Sequence, residues 1–257
     1  MQNQLIETVA ANPHVGYTVA MARSEEEVRE AQRLRYKVFV EELGALIHTN
    51  TPNHDVDRYD SFCDHLIVRE NQADRIVGTY RILSPDAARR AGGYYSEDEF
   101  YLPRLQNLRS RMVEVGRSCI HPDYRSGAVI TLLWAGLAEY MVTHNYEYLI
   151  GCASIGMADG GHNAANLFTH IGPANMAPTE YHVFPKHRLP FERLTTQQPA
   201  LVPPLIKGYL RIGAWVCGEP AWDPYFNTAD LLLLLPMSRM NPRYMRHFIR
   251  PTEHGPA

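Results

Sequence analysis

The sequence has no apolar run of the roughly eighteen residues that a bilayer crossing takes. Its densest stretch, Ala128 to Val142, is interrupted by Thr131, Gly136, Glu139 and Tyr140. The chain does not open on a basic segment followed by an apolar core, so no secretory signal is expected. Cysteine is scarce. Cys63, Cys119, Cys152 and Cys217 lie far apart, three of them within apolar, strand-like runs. This argues against a disulfide framework and for reduced, buried thiols in a cytoplasmic protein. Histidine is not scarce, but no His-Glu-x-x-His or Cys-x-x-Cys spacing exists, so no metal centre is expected. A strong positive charge is also missing. The formal net charge is -3, which argues against a general nucleic-acid binder. Acidic residues lead through residue 100 and basic residues lead after it, leaving local basic patches for an acidic partner. Internal repeats and low-complexity linkers are absent.

What is present is a chain of 257 residues, 45% hydrophobic, enough for one domain with a substantial core. The first sixteen residues are polar and aperiodic and are expected to be a flexible lead-in. Residues 17–257 are expected to form the domain, with a strand and helix extension at the C-terminal end. Tyr17–Ala22 reads as a strand. Ser24 and Glu27 form a capping box that opens a helix to about Leu43, with Val28, Ala31, Leu34, Val38 and Phe39 as its apolar stripe. Arg35 falls inside that stripe. Strands follow at His65–Glu70 and Arg75–Leu83, then a loop-rich segment from Ser84 to Ser110 with short helical pieces. A fourth strand spans Met112–Ile120, a helix Ala128–Thr143, a fifth strand Tyr148–Ser154 and a helix Asn163–His170. Strand-like runs at Ile212–Cys217 and Asp230–Leu235 come next. A short helix is expected from Asn241-Pro242. This alternation is an α/β order with a mixed sheet.

Four segments carry most of the chemistry: Leu34-Arg-Tyr-Lys-Val-Phe39, Asp57-Arg-Tyr-Asp60, Gly78-Thr-Tyr-Arg-Ile-Leu83 and Glu114-Val-Gly-Arg-Ser118. Together they resemble the acyl-homoserine-lactone synthases of the GNAT acyltransferase fold. The stretch Glu114 to Arg125, with Lys207-Gly-Tyr-Leu-Arg211 and Phe226-Asn-Thr-Ala-Asp230, is closer to the ornithine Nα-acyltransferases of ornithine-lipid synthesis. The likeness runs from about Tyr17 to Phe248. It implies a GNAT-like mixed sheet splayed between its fourth and fifth strands and flanked by helices. It also implies transfer of a (3-hydroxy) fatty acyl group from acyl carrier protein to the α-amine of ornithine, giving lyso-ornithine lipid. No resident cofactor is implied, because the donor rides on the carrier's phosphopantetheine.

The resemblance makes Glu114 the general base that neutralises the attacking amine. Glu114 and Arg117 have an odd offset, so a regular strand would send them to opposite faces. A bulge, common in this strand of the fold, would turn both toward the cleft. A surface Glu–Arg pair is the plain alternative. Arg35 and Arg81 occupy positions where apolar side chains are expected, and a buried guanidinium requires a partner. Asp57 and Asp60 are natural partners, and so is a substrate carboxylate held by a bidentate fork. A salt-bridge network that only shapes the cleft, beside Phe39, fits equally well.

Arg125-Ser126-Gly127-Ala128, at the start of the helix after the fourth strand, matches the segment whose backbone amides hold phosphopantetheine in this fold. It departs from the glycine-rich form of acetyl-CoA enzymes, in agreement with a carrier-protein donor. An acidic carrier implies a basic docking face. Arg104, Arg109, Arg111 and Arg125 are candidates, with Lys186-His-Arg188 as a second patch. Arg239, Arg243, Arg246 and Arg250 form a third set, which suits the carrier, an anionic membrane at the inner face, or an ordinary solvated surface. Cys119 as a nucleophile and His162 or His170 as a proton donor are weaker candidates. The His-x4-Asp spacing of glycerolipid O-acyltransferases is absent, which tells against ester formation. Alternative readings are a long-chain N-acyl amino acid or signal synthase using another amine, a non-catalytic carrier-protein binding module, and a membrane-acting lytic protein.

Overall fold

A computed structural model describes residues 16–240. The N-terminal lead-in, except Gly16, and the helix expected from Asn241-Pro242 lie outside the described residues. In chain order the elements are β1 (Tyr17–Met21), α1 (Glu25–Tyr36), β2 (Asp64–Glu70), β3 (Arg75–Leu83), α2 (Pro85–Ala91), β4 (Phe100–Tyr101) and β5 (Met112–Ile120). Then come α3 (Ala128–Thr143), β6 (Tyr148–Gly156), α4 (His162–His170), β7 (Phe184–Pro185), α5 (Phe191–Leu194), α6 (Pro204–Ile212), β8 (Trp215–Val216), β9 (Ala221–Asp223) and β10 (Thr228–Pro236). Among the described residues no helix is long and apolar enough to cross a membrane.

The central sheet runs β1-β2-β3-β5-β6-β10-β8, with β9 also on β10, while β4 and β7 pair separately. Its neighbours are antiparallel except β5 and β6, so the sheet is mixed. That one parallel pair holds at only three positions, Met112↔Tyr148, Val113↔Leu149 and Glu114↔Ile150. Beyond Glu114 the two strands part, which is the expected splay. Gly151 stands at the fork. A Cβ there would lie 2.5 Å from the Val115 carbonyl oxygen, so only glycine permits this last close approach.

Helices cover the sheet on both faces. On one face, α3 buries Val129, Leu133, Leu137 and Met141 against Leu66, Val68, Val113 and Val115. On the other, Ala31 and Leu34 of α1 and Val38 just beyond it pack on Ile67, Ile76 and Cys119. Alternation along β10 shows the same two layers. Leu231, Leu233 and Leu235 join the α3 core, while Leu232 and Leu234 join a cluster with Tyr94, Phe100 and Met112 beneath the segment that links β3 to β5.

The helix after Ser24 extends to Glu42, in line with the expected end near Leu43, but changes character on the way. The Ser24 hydroxyl accepts from the Glu27 amide at 3.2 Å, and the Glu27 carboxylate accepts from the Arg23 amide at 2.7 Å. Lys37–Glu42 is a π-helix, closed by the bond from the Leu43 amide to the Val38 carbonyl. One reading needs correction. Ile212–Cys217 is not a strand: α6 occupies Pro204–Ile212, and Gly213 closes it at φ 112° in the left-handed region. Only Trp215–Val216 then pairs with β10. The apolar run misled because a short amphipathic helix and a two-residue strand abut across one glycine.

Candidate active site

The splay opens a cavity of about 280 Å³ that passes between β5 and β6 and so touches both faces of the sheet. On the α3 face its wall is apolar: Val115, Leu149, Leu205, Tyr209, Leu233 and Leu235. On the other face Tyr59, Arg81, Tyr95, Glu114, Asp223 and Asp230 line it, with Phe39, Leu43, Arg117 and Phe226 also in the wall. The π-turn brings Phe39 into this wall, and its ring meets Phe226 edge-on at 5.8 Å.

Glu114 belongs to the last residue pair before the strands part. Its carboxylate accepts from the backbone amides of Tyr95 and Ser96, the latter at 2.8 Å, and it is 3% exposed. Burial raises its pKa, while the Ser96 and Tyr95 bonds and the Arg81 charge pull it down. The balance leaves it at about 7, where a carboxylate can serve as a base. The expected bulge is present. Arg81 pairs with Gly116 but Thr79 with Cys119, one extra residue on β5, and Arg117 takes φ 50°. Arg117 therefore joins Glu114 in the cavity wall despite their odd offset. The left-handed backbone costs about 1–3 kcal/mol in a residue with a side chain. Ion pairs to Asp55 (3.1 Å) and Asp57 (3.2 Å) and the ring faces of Phe226 and Tyr95 hold it there.

Arg35, Arg81 and Arg117 share three aspartates. Arg35 is completely buried: Nε donates to Asp55 Oδ2 (2.9 Å), Nη1 to Asp60 Oδ1 (2.8 Å) and Nη2 to Asp60 Oδ2 (3.0 Å) and the Asp55 carbonyl. Arg81 Nη1 donates to Asp57 Oδ1 at 2.6 Å and approaches Asp60 Oδ2 at 3.5 Å. Burial alone would raise the Asp60 carboxyl, but Arg35 and Arg81 hold it well below the usual carboxylate range. Arg35, Asp57 and Asp60 thus brace the cleft from behind, whereas Arg81 and Arg117 face it. Asp55 escaped sequence reading. It sits in an aperiodic loop, and no spacing connects it to Arg35 or Arg117.

Arg125, Ser126, Gly127 and Ala128 form the start of α3, outside the cavity wall. Gly127 caps that helix without a side-chain bond, and Arg125 forms a fork with Glu42 at 2.5 and 2.7 Å. Much of the expected basic face is paired: Arg109 with Glu97, Arg111 with Glu147, and Arg188 with Glu192 and Glu219. Arg104 stacks on Phe184 and Lys186 on Tyr101. Arg239 stacks on Trp215 at 4.1 Å, while Arg243, Arg246 and Arg250 lie outside the described residues. His162 and His170 bond to backbone carbonyls at the surface, away from the cavity wall. Burial pushes the Cys119 thiol up to about 12, so it stays protonated and is a poor nucleophile. Glu99, Cys152 and Asp230 bring one donor atom each within 4.8 Å of one another. The sequence marks Cys152 only as a buried thiol and Asp230 only as part of a motif, and gives no signal for Glu99.

A buried carboxylate at the fork of a splayed sheet, with an apolar wall on one face and charged groups on the other, is an arrangement that suits acyl transfer to an amine. The family described as Acetyltransferase (GNAT) domain matches residues 34–135. An L-ornithine Nα-acyltransferase of Rhodobacter capsulatus is 36% identical over 261 residues, covering 95% of this chain and 99% of that protein. Among solved structures, FeeM, an N-acyl amino acid synthase from uncultured soil microbes, superposes with TM-score 0.55 at 12% identity, covering 92% of this chain and 96% of that one. The acyl-homoserine-lactone synthase LasI gives 0.51 at 12% identity, covering 91% and 94%. At such identities these two likenesses concern the fold alone. With more than a third of its residues shared across nearly the whole length of its relative, the chain belongs to the L-ornithine Nα-acyltransferase family of GNAT-fold N-acyltransferases.

Proposed function

We propose that the protein moves a fatty acyl group, plain or 3-hydroxylated, from the phosphopantetheine thioester of acyl carrier protein to the α-amine of L-ornithine, giving lyso-ornithine lipid. The observation that carries this reading is the cavity through the fork, with Glu114 in its wall at the last pair that β5 and β6 share. The acyl chain lies on the α3 face among Leu149, Leu205, Leu233 and Leu235, where burial of each methylene contributes about 0.8 kcal/mol. The amino acid enters on the opposite face, and Arg117, beside Arg81, offers its carboxylate a guanidinium. The start of α3, where the Gly127 cap makes no side-chain bond, presents amides to the pantetheine phosphate. The exposed cations Arg104 and Lys186 suit an acidic carrier protein.

Glu114 removes a proton from the α-ammonium, and the neutral amine attacks the thioester carbonyl carbon. As the tetrahedral intermediate collapses, the C–S bond breaks, Glu114 passes its proton to the leaving sulfur, and the nitrogen's second proton goes to the freed Glu114 carboxylate and from there to solvent. The amide then leaves. A group near pKa 7 lies below a thiol, so protonated Glu114 is acidic enough to supply that proton.

The test is a mass-spectrometric transfer assay with 3-hydroxyacyl carrier protein and a panel of free amino acids, with Glu114→Ala alongside. Acyl-ornithine that disappears with the substitution supports donor, acceptor and base together. A product on another amine alone retires the ornithine assignment. Carrier-protein binding without any amide, from the unaltered protein, refutes catalysis.

A further inference from the structure

Strand β10 carries five consecutive leucines, Leu231 to Leu235, preceded by one charge, Asp230. Asp230 is 3% exposed, lines the cavity, and its Oδ1 has no hydrogen-bond partner. Glu99 lies behind the cavity lining, its carboxyl within 4.8 Å of Asp230, and both of its carboxyl oxygens are buried without a hydrogen-bond partner as well. Asp223 lines the same wall, one oxygen committed to the amides of Tyr225 and Phe226. Among the described residues none of these three acids has an ion-pair partner. The arginines nearby pair with Asp55, Asp57 and Asp60 and with none of these three acids. The contrast between the two groups of acids is chemical. The first is paired with arginines inside the protein, and the second faces no cation, its carboxyls lying against each other.

Burial of unpaired carboxylates is costly and is retained where a ligand completes the pair. Burial, and then the proximity of Asp230, raises the Glu99 carboxyl well above its usual range. Burial also raises Asp230 itself. An ammonium group would supply a cation. The alternation of β6 and β10 puts Cys152 and Asp230 on the same face as Glu114, opposite the apolar wall. Cys152 and Asp230 line the cavity with Glu114, and Glu99 stands behind them, within 4.8 Å of both.

We propose that Asp230 and Glu99 form the subsite for the side-chain ammonium of a diamino acid acceptor and set the preference for it over a neutral amino acid. This rests on the reading that the protein acylates an amino acid α-amine at Glu114, and it names what that pocket selects. The α-amine lies at Glu114 and the α-carboxylate at Arg117. The second ammonium sits between Asp230 and Glu99, held away from the thioester and kept charged, so it does not compete as a nucleophile.

The experiment compares L-ornithine with L-norvaline, which has the same carbon chain without the second amine. kcat/KM is measured with a 3-hydroxyacyl carrier-protein donor for the unaltered protein, Asp230→Asn and Glu99→Gln, each checked for an unchanged thermal transition. The unaltered protein is expected to prefer ornithine by about 100-fold or more. Either substitution should shrink the ratio at least tenfold, chiefly through KM for ornithine. Calorimetry of both amino acids without donor reads the same preference independently of turnover. An unchanged ratio, or equal losses on both substrates, overturns the subsite. Bound metal in the purified protein, with ornithine acylation lost on chelation, also overturns it, because Glu99, Cys152 and Asp230 would then be ligands. Absence of turnover with every amine sinks catalysis at Glu114, and a calorimetric preference that persists then keeps the subsite.

Discussion

Arg35→Leu tests whether the buried guanidinium is structural. Leucine keeps much of the apolar stem and removes the charge. In the folded protein Arg35 is wholly buried and donates to Asp55 and Asp60, fixing the loop before β2 onto the end of α1. Its removal leaves Asp60 with Arg81 at 3.5 Å and Asp55 with Arg117 at 3.1 Å, so neither acid is wholly orphaned. Breaking one side of a buried pair costs about 3–5 kcal/mol, and these residual partners place the site near the lower end. A domain of this size loses about 2–4 °C of Tm per kcal/mol, which makes the expected drop about 6–12 °C. Thermal unfolding followed by circular dichroism measures it. Activity per folded molecule should fall far less than stability, since Arg35 is outside the cavity wall. A Tm within about 3 °C of the unaltered protein would refute this account of the network, as would normal stability with abolished acceptor binding.

The pH profile follows from Glu114. Its carboxyl is held at about 7, and only the ionised form accepts a proton, so kcat/KM should rise about tenfold per unit below pH 7 and level off above it. Glu114→Gln should abolish that limb as well as most of the rate; a limb that survives in the variant assigns it to another group. At the fork, Gly151→Val would press a side chain onto the Val115 carbonyl, which a Cβ alone already meets at 2.5 Å. We expect a loss of about 1–3 kcal/mol in denaturant unfolding together with reduced turnover, and unaltered stability would show that the strands part without regard to residue 151.

Much of the fold was legible because periodicity and caps are local. Arg75–Leu83, Met112–Ile120 and Ala128–Thr143 fall on their expected residues, and Ser24 caps the helix it was expected to cap. Arg35 and Arg81 were detectable for a related reason: a charge in an apolar pattern marks a place where burial has been compensated. The compensating groups were less visible. Asp55 lies in an aperiodic loop, and Glu99 follows a short 3-10 turn that no hydrophobic pattern announces. Asp230 did leave a signal. A strand whose two faces are both leucine is buried on both sides, and a carboxylate at its start carries the same oddity that exposed Arg35.

The odd offset between Glu114 and Arg117 illustrates how a local rule and a functional site come into conflict. A regular β5 could present the base to the cavity or the arginine, but not both. The chain resolves this with one inserted residue and a left-handed arginine, after the last rung that β5 shares with β6. Had the bulge come before Glu114, the base would have turned toward the apolar wall on the α3 face. Had it come after Arg117, the guanidinium would have turned there, away from Asp55 and Asp57. The position of one extra residue therefore decides which face of the splayed sheet receives charge and which is left apolar. That segregation is what the proposed transfer of a fatty acyl chain to a zwitterion requires of its cavity.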